Sequence, residues 1–216
     1  MEEKLSTVKN ETEETNIVPV QANNGILYRV IKRVGDYLLT VLAGTVLLIP
    51  LLIVALLIRL ESEGPVIFKQ LRIGKDGKPF LIYKFRTMRI DAPSEMAARD
   101  FHDADRYITK LGGWLRRTSV DELPQLLNIL KGDMSLVGYR PVCVTETKLN
   151  ALREQYGVFS VRPGLTGYAQ VLGRDNLDYR EKAALDAEYV KRRNLMLDLW
   201  CLFKTVGVVF TGEGTR

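Results

Sequence analysis

A chain of 216 residues has room for one ordinary soluble domain beyond a membrane element, which excludes a polytopic transporter. The formal net charge is +5, yet the first 24 residues hold two lysines and five glutamates, leaving the remainder at +8. Such a basic body suits nucleic acid, an anionic membrane surface or a phosphorylated substrate. Two distant cysteines, Cys143 and Cys201, lack metal-ligand spacing and argue against zinc or a disulfide framework, which fits a reducing, cytoplasmic setting.

Residues 1–24 are rich in Glu, Thr and Asn and read as a disordered acidic tail. Residues 25–64 read as a membrane-anchoring segment, because the run 37–58 carries no charge. At about 1.5 Å per residue such a run can cross a hydrocarbon core of about 30 Å. Arg29, Lys32 and Arg33 precede the run and Arg59, Lys69 and Arg72 follow it, so the positive-inside tendency marks both flanks as cytoplasmic. Pro50, inside the run, has no N–H and clashes with the carbonyl of Val46. Two readings follow: a kinked single-pass anchor, or a hairpin that enters and leaves by one face. The hairpin satisfies both flanks, so the expectation is a re-entrant helix-break-helix, with Lys32, Arg33 and Pro50 as anchoring residues among membrane lipids. A cleaved signal peptide fits poorly, since the run starts late and is too long for an h-region. A membrane element also turns the reading away from nucleic acid.

Residues 65–216 form the expected catalytic domain. The runs 66–73 and 80–88 are rich in branched and aromatic residues and flank Asp76-Gly77, the pattern of a β-hairpin. Strand alternation puts Lys84 and Arg86 on one face, which by itself reads as a solvated edge that discourages aggregation. The polar stretch 91–106 reads as a loop, and its His102, the only histidine, receives no role. Helices are expected over 121–130, 145–156 and 179–193. A last apolar segment, 195–210, holds Trp200 but also Asp198 and Lys204, and suits the headgroup region or a core equally. The fold class is therefore α+β: a mostly helical cytoplasmic domain with a β-hairpin, behind a re-entrant membrane helix.

Asp121 and Glu122 follow Arg116 and Arg117 and open a segment in which Pro124 is tolerable only near a first helical turn. A helix start favours ionised carboxylates and bound phosphate. The alternative is structural, since Ser119 and Glu122 have capping-box spacing. Downstream, 131–141 and 161–170 are Gly/Pro-shaped turns presenting Arg140 and Arg162, whose planar forks suit phosphate oxygens.

Taken together and in order, these elements resemble the monotopic phosphoglycosyl transferases, also called bacterial sugar transferases, over residues 28–212. The resemblance is carried by Lys32-Arg33 with Asp36, the apolar run with its proline, Phe68-x-Gln70-x-Arg72-x-Gly74, Lys84-Phe85-Arg86-Thr87-Met88, Asp121-Glu122-Leu123, the 131–141 segment and Arg162-Pro163-Gly164-Leu165-Thr166-Gly167. It implies transfer of a sugar 1-phosphate from a UDP-sugar to undecaprenyl phosphate with release of UMP, at the cytoplasmic face of the bacterial cell membrane. It implies Asp121 as a nucleophile forming an acyl phosphate, Glu122 as its partner, Asp186 as a further active-site acid, and magnesium near Asp121 and Glu122. Lys84, Arg86, Arg116, Arg140 and Arg162 would then meet substrate phosphate.

This chain departs from the family where Ile49 replaces a frequent serine before Pro50, with Thr45 as the alternative hydroxyl for freed backbone groups. Tyr139 and Tyr168 likewise replace a frequent proline and tryptophan. A rival class is a catalytically inert, membrane-anchored scaffold of glycan assembly, against which the intact Asp121-Glu122 pair argues. Galactose, glucose and N-acetylated amino sugars are all compatible with the motifs.

Overall fold

The computed structural model describes residues 19–20, 22, 25–92, 106–173 and 176–211. The expected disordered tail and the loop around His102 fall largely outside the described residues.

Helix α1, Ile26–Glu61, is long and apolar enough to cross a membrane by length and composition. Only Asp36, Thr40 and Ile58 are buried along it, while Val46, Ile49, Leu52 and Ile53 are exposed, a surface suited to an apolar solvent. The expected break is not seen: the helix is continuous by residue range with Pro50 inside it. A proline removes one ladder hydrogen bond without necessarily dividing a membrane helix. Thr45 does not serve the carbonyl that Pro50 frees, because its hydroxyl donates to Val41 O at 2.9 Å.

Both ends of the apolar run touch the same domain. Ala43 packs against a cluster of Ile82, Leu126, Ile129 and Met134, and Leu51, Val54 and Ala55 pack around Ile58, Phe85 and Leu115. Lys32 and Arg33, expected as anchoring residues, contact the domain. Lys32 Nζ lies 3.1 Å from Asp198 and 3.8 Å from Asp36. Arg33 donates to Met134 O, Ile129 O and the Tyr37 hydroxyl. These two cations therefore fasten α1 to the domain.

Strands β1, Ile67–Ile73, and β2, Pro79–Phe85, form the expected hairpin, in antiparallel register from Ile67↔Phe85 to Ile73↔Pro79. Asp76 and Gly77 turn it with φ of 57° and 70°, in the left-handed region that Asp-Gly favours. The second strand ends at Phe85, short of the expected 88, so alternation no longer sets the direction of Arg86.

Helix α2, Lys110–Arg117, starts at Thr109, whose hydroxyl accepts from Gly112 N. A 3-10 turn, Val120–Gln125, leads into the short α3, Leu126–Lys131. Two strands that the sequence reading missed follow: β3, Ser135–Val137, pairs in parallel with β4, Gly164–Thr166. Between them lies α4, Thr147–Gln155, and after them α5, Tyr168–Leu172, α6, Tyr179–Arg192, and α7, Leu195–Thr211. Helix α6 opens on a capping box between Asp178 and Glu181, worth about 1 kcal/mol.

The main core gathers Val137, Tyr139, Val158, Val161, Tyr189, Val190 and Cys201. Helix α7 has one buried and one exposed face. Asp198 and Cys201 are buried, while Met196, Leu199, Phe203 and Val206 form an exposed apolar stripe. Both cysteines are buried, and neither forms a disulfide among the described residues.

Candidate active site

Asn128, fully buried on α3, connects the acidic segment to the hairpin. Its side-chain oxygen accepts from Tyr83 N at 3.0 Å and its amide donates to Leu81 O at 2.7 Å. This brings Lys84 of β2 opposite the 3-10 turn. Ser119, just before that turn, adopts φ 57°, a left-handed conformation that costs a non-glycine residue about 1 kcal/mol or more. Its side chain makes no cap hydrogen bond, so the capping box is not formed.

Glu122 instead faces cations. Lys84 Nζ donates to Glu122 Oε1 at 2.7 Å, and Arg140 makes a two-point contact, to Oε1 at 2.5 Å and Oε2 at 3.0 Å. Burial disfavours the charge of Glu122, but Arg140 and Lys84 outweigh it and hold this carboxyl well below the usual range. Asp121 Oδ2 lies farther from Lys84, at 3.8 Å. Burial pushes the Asp121 carboxyl above its ordinary value; Lys84 opposes this, Glu122 adds to it, and Arg140 and Arg116 oppose it. One carboxylate is thus firmly ionised and tied down, while its neighbour is the more readily protonated.

Arg140 is placed by its backbone. Gly138, Gly164 and Gly167 let the two Gly/Pro turns approach so closely that a methyl on Gly138 would stand 2.4 Å from Arg162 O, and one on Gly164 2.1 Å from Gly138 N. Arg153 Nη1 donates to Arg140 O at 2.8 Å, and the same guanidinium donates from Nε and Nη2 to Asp186 Oδ2 at 2.9 and 2.6 Å. Asp186 therefore lies behind the site, joined to the Arg140 carbonyl through Arg153. Burial raises its carboxyl, with the Arg153 charge and hydrogen bond opposing.

Of the expected residues, the fold brings together Lys84, Asp121, Glu122 and Arg140, with Arg116 near enough for its charge to act on Asp121. Arg116 Nε also donates to the Thr87 hydroxyl at 2.9 Å. Arg86 points elsewhere, donating to Ser62 O, Ser62 Oγ and Glu63 O at the C-terminal end of α1. Arg162 is turned away from the carboxylate pair, donating to Gly132 O at 2.8 Å. The sequence reading missed Arg153, Asn128 and the site-side placement of Arg72, which donates to Pro141 O at 3.4 Å beside Arg140. Arg72 sat within a family motif; Arg153 gave no signal, because a buried arginine in a polar helix looks like a solvated one.

Among the described residues no three acidic, histidine or cysteine side chains cluster as a ready-made metal cage. Magnesium commonly takes one or two carboxylates, waters and substrate phosphates, which fits Asp121. It fits Glu122 less well, since both oxygens of Glu122 already accept from Arg140 and Lys84.

A long apolar helix is thus tied to a domain that surrounds paired carboxylates with cations, a setting suited to anionic groups such as phosphate. The chain matches the bacterial sugar transferase family over residues 27–212 and belongs to it. It is 40% identical over 195 residues to the UDP-N-acetylgalactosamine-undecaprenyl-phosphate N-acetylgalactosaminephosphotransferase of Aeromonas hydrophila, an alignment covering 88% of this chain and 46% of that one. With the UDP-glucose:undecaprenyl-phosphate glucose-1-phosphate transferase of Escherichia coli it shares 40% over 185 residues, 82% of this chain and 40% of that one. An uncharacterized sugar transferase of Bacillus subtilis is 44% identical over 159 residues, 74% of this chain and 77% of that one. The chain thus spans less than half the length of the first two relatives.

Proposed function

We propose that the chain transfers a sugar 1-phosphate from a UDP-sugar to undecaprenyl phosphate, through a covalent intermediate on Asp121, at the cytoplasmic face of the bacterial membrane. The observation that carries this reading is the division of labour in the carboxylate pair. Glu122 is saturated by Lys84 and Arg140, whereas Asp121 lies beside the same cations with its nearest ammonium at 3.8 Å.

An oxygen of ionised Asp121 attacks the sugar-bearing phosphorus. That bond forms as the bond to the oxygen of UMP breaks, and the electron pair leaves with UMP. A phosphate oxygen of the lipid then attacks the same phosphorus and returns the Asp121 carboxylate. Lys84, Arg140 and Arg116 offset charge repulsion between the carboxylate and the donor's diphosphate. When bound, magnesium would further neutralise that diphosphate. Glu122 holds Lys84 and Arg140 in position. The intact cradle disfavours the scaffold alternative.

The contacts made by both ends of the apolar run support insertion from one face. A straight crossing would separate the ends of 22 residues by about 33 Å, on opposite sides of the bilayer. A single domain meets both Thr40 and Ile58.

The test offers the protein a panel of UDP-sugars with magnesium and no lipid acceptor. UMP release together with a mass gain of one sugar phosphate is expected, and Asp121→Asn should lose both. Turnover by folded Asp121→Asn, with deamidation excluded, would favour direct attack by the lipid phosphate.

A further inference from the structure

A second cationic site lies away from the carboxylate pair. A cavity of about 260 Å³ opens between the start of α1, the β3 region and the end of α6. Its lining holds the cations Arg29, Lys32, Arg33, Lys75, Arg162 and Arg193 against one carboxylate, Asp36. Lys84, Asp121, Glu122 and Arg140 do not line it.

The lining cations divide by what already occupies them. Lys32 is matched by Asp198, which also accepts from the hydroxyls of Tyr28 and Tyr189 at 2.9 and 2.6 Å. Arg33 is spent on carbonyls and on Tyr37. Arg29 is exposed and has no carboxylate partner among the described residues. Arg162 commits Nε to Gly132 O, and Arg193 rests against the Tyr28 ring with 5.5 Å to its centroid. Lys32 thus faces two carboxylates, Asp36 and Asp198, while the guanidinium charges of Arg29, Arg33, Arg162 and Arg193 leave the cavity with a positive excess.

Depth gives the site its ligand. Arg29, Lys32, Arg33 and Asp36 precede the apolar run within about three helical turns, so the cavity stands where the run meets water. Small-molecule pockets begin near about 300 Å³, so this volume suits a headgroup better than a whole nucleotide sugar. Guanidinium forks at that depth match the oxygens of a phosphate diester.

We propose that this cavity binds the phosphate group of an anionic membrane-lipid headgroup, seating the domain on the bilayer independently of the chemistry at Asp121. The full chain in neutral detergent is titrated with dihexanoyl phosphatidylglycerol, dihexanoyl phosphatidylcholine and inorganic phosphate, with binding followed by native mass spectrometry. Saturable binding of phosphatidylglycerol, stronger than that of the other two probes, is expected. Arg29→Gln with Arg193→Gln should weaken it by roughly tenfold or more, whereas Lys78→Gln on the hairpin turn should leave it intact. Arg29→Gln alone keeps a reading available if the double variant misfolds. Equal affinity for phosphatidylcholine overturns the charge recognition. Equal affinity for inorganic phosphate overturns the lipid as source. Unchanged binding in folded Arg29→Gln and the double variant overturns the cavity.

Discussion

Arg153 and Asp186 bury their side chains against each other, 3% and 2% exposed, and the arginine has one nitrogen left to hold the Arg140 carbonyl. A buried pair of this kind does not by itself add much stability, but removing one partner strands the other and costs about 3–5 kcal/mol. Here the pair also fixes the backbone of the residue that grips Glu122. Asp186→Asn should therefore lower turnover through Arg140. In a double-mutant cycle, Asp186→Asn and Arg140→Lys should be less than additive in kcat/KM, because both release the same grip. Additive losses would place Asp186 in direct contact with substrate.

Asp121 should reveal its burial through pH. Its carboxyl is raised above the ordinary 3.8, with burial the largest cause. For a carboxyl raised by folding, stability is fully present below the unfolded value and is lost as pH rises through the folded one. Asp121→Asn removes that loss, so the inactive variant should melt at a higher temperature than the native protein at neutral pH. The acid limb of kcat/KM should lie above 3.8, since attack requires the ionised form.

Glu122 has the opposite sign. Its carboxyl is depressed by Arg140 and Lys84 against the effect of burial, so it contributes stability above its unfolded value that is lost as pH falls through the folded one. Glu122→Gln should cost about 2 kcal/mol at neutral pH and raise donor KM as Lys84 and Arg140 lose their anchor. Differential scanning calorimetry beside steady-state kinetics would check both. A loss confined to kcat, at native stability, would make Glu122 a participant in the reaction.

Arg86→Met should act on the exit of α1. The native side chain donates to Ser62 and Glu63 carbonyls, and losing those charge-assisted bonds should cost about 2–3 kcal/mol. Limited proteolysis should then cut the 59–64 segment faster, while donor KM stays near native. A large rise in donor KM would restore Arg86 to the substrate.

The hairpin was legible because Asp76-Gly77 and the flanking alternation are local signals. The pairing of β3 with β4 was not, because three-residue strands carry no period and meet only through glycines far apart in the chain. Lys84 and Arg86 show the limit of strand logic: the alternation that joins them fails one residue past the end of β2. Arg140 and Arg162 came from matching turn chemistry, yet parallel pairing sends one to Glu122 and the other toward α1. Asp186 was legible only by family resemblance, and its link to Arg140 through Arg153 required three dimensions.

Asn128 carries a consequence beyond the catalytic pair. Its amide meets Tyr83 N and Leu81 O as the main chain of an adjoining strand would, so β2 has β1 on one flank and a one-residue imitation strand on the other. The outer edge of β2 therefore offers no open row of donors and acceptors at its middle to a second copy of the chain. A single side chain thus guards that edge against edge-to-edge self-association.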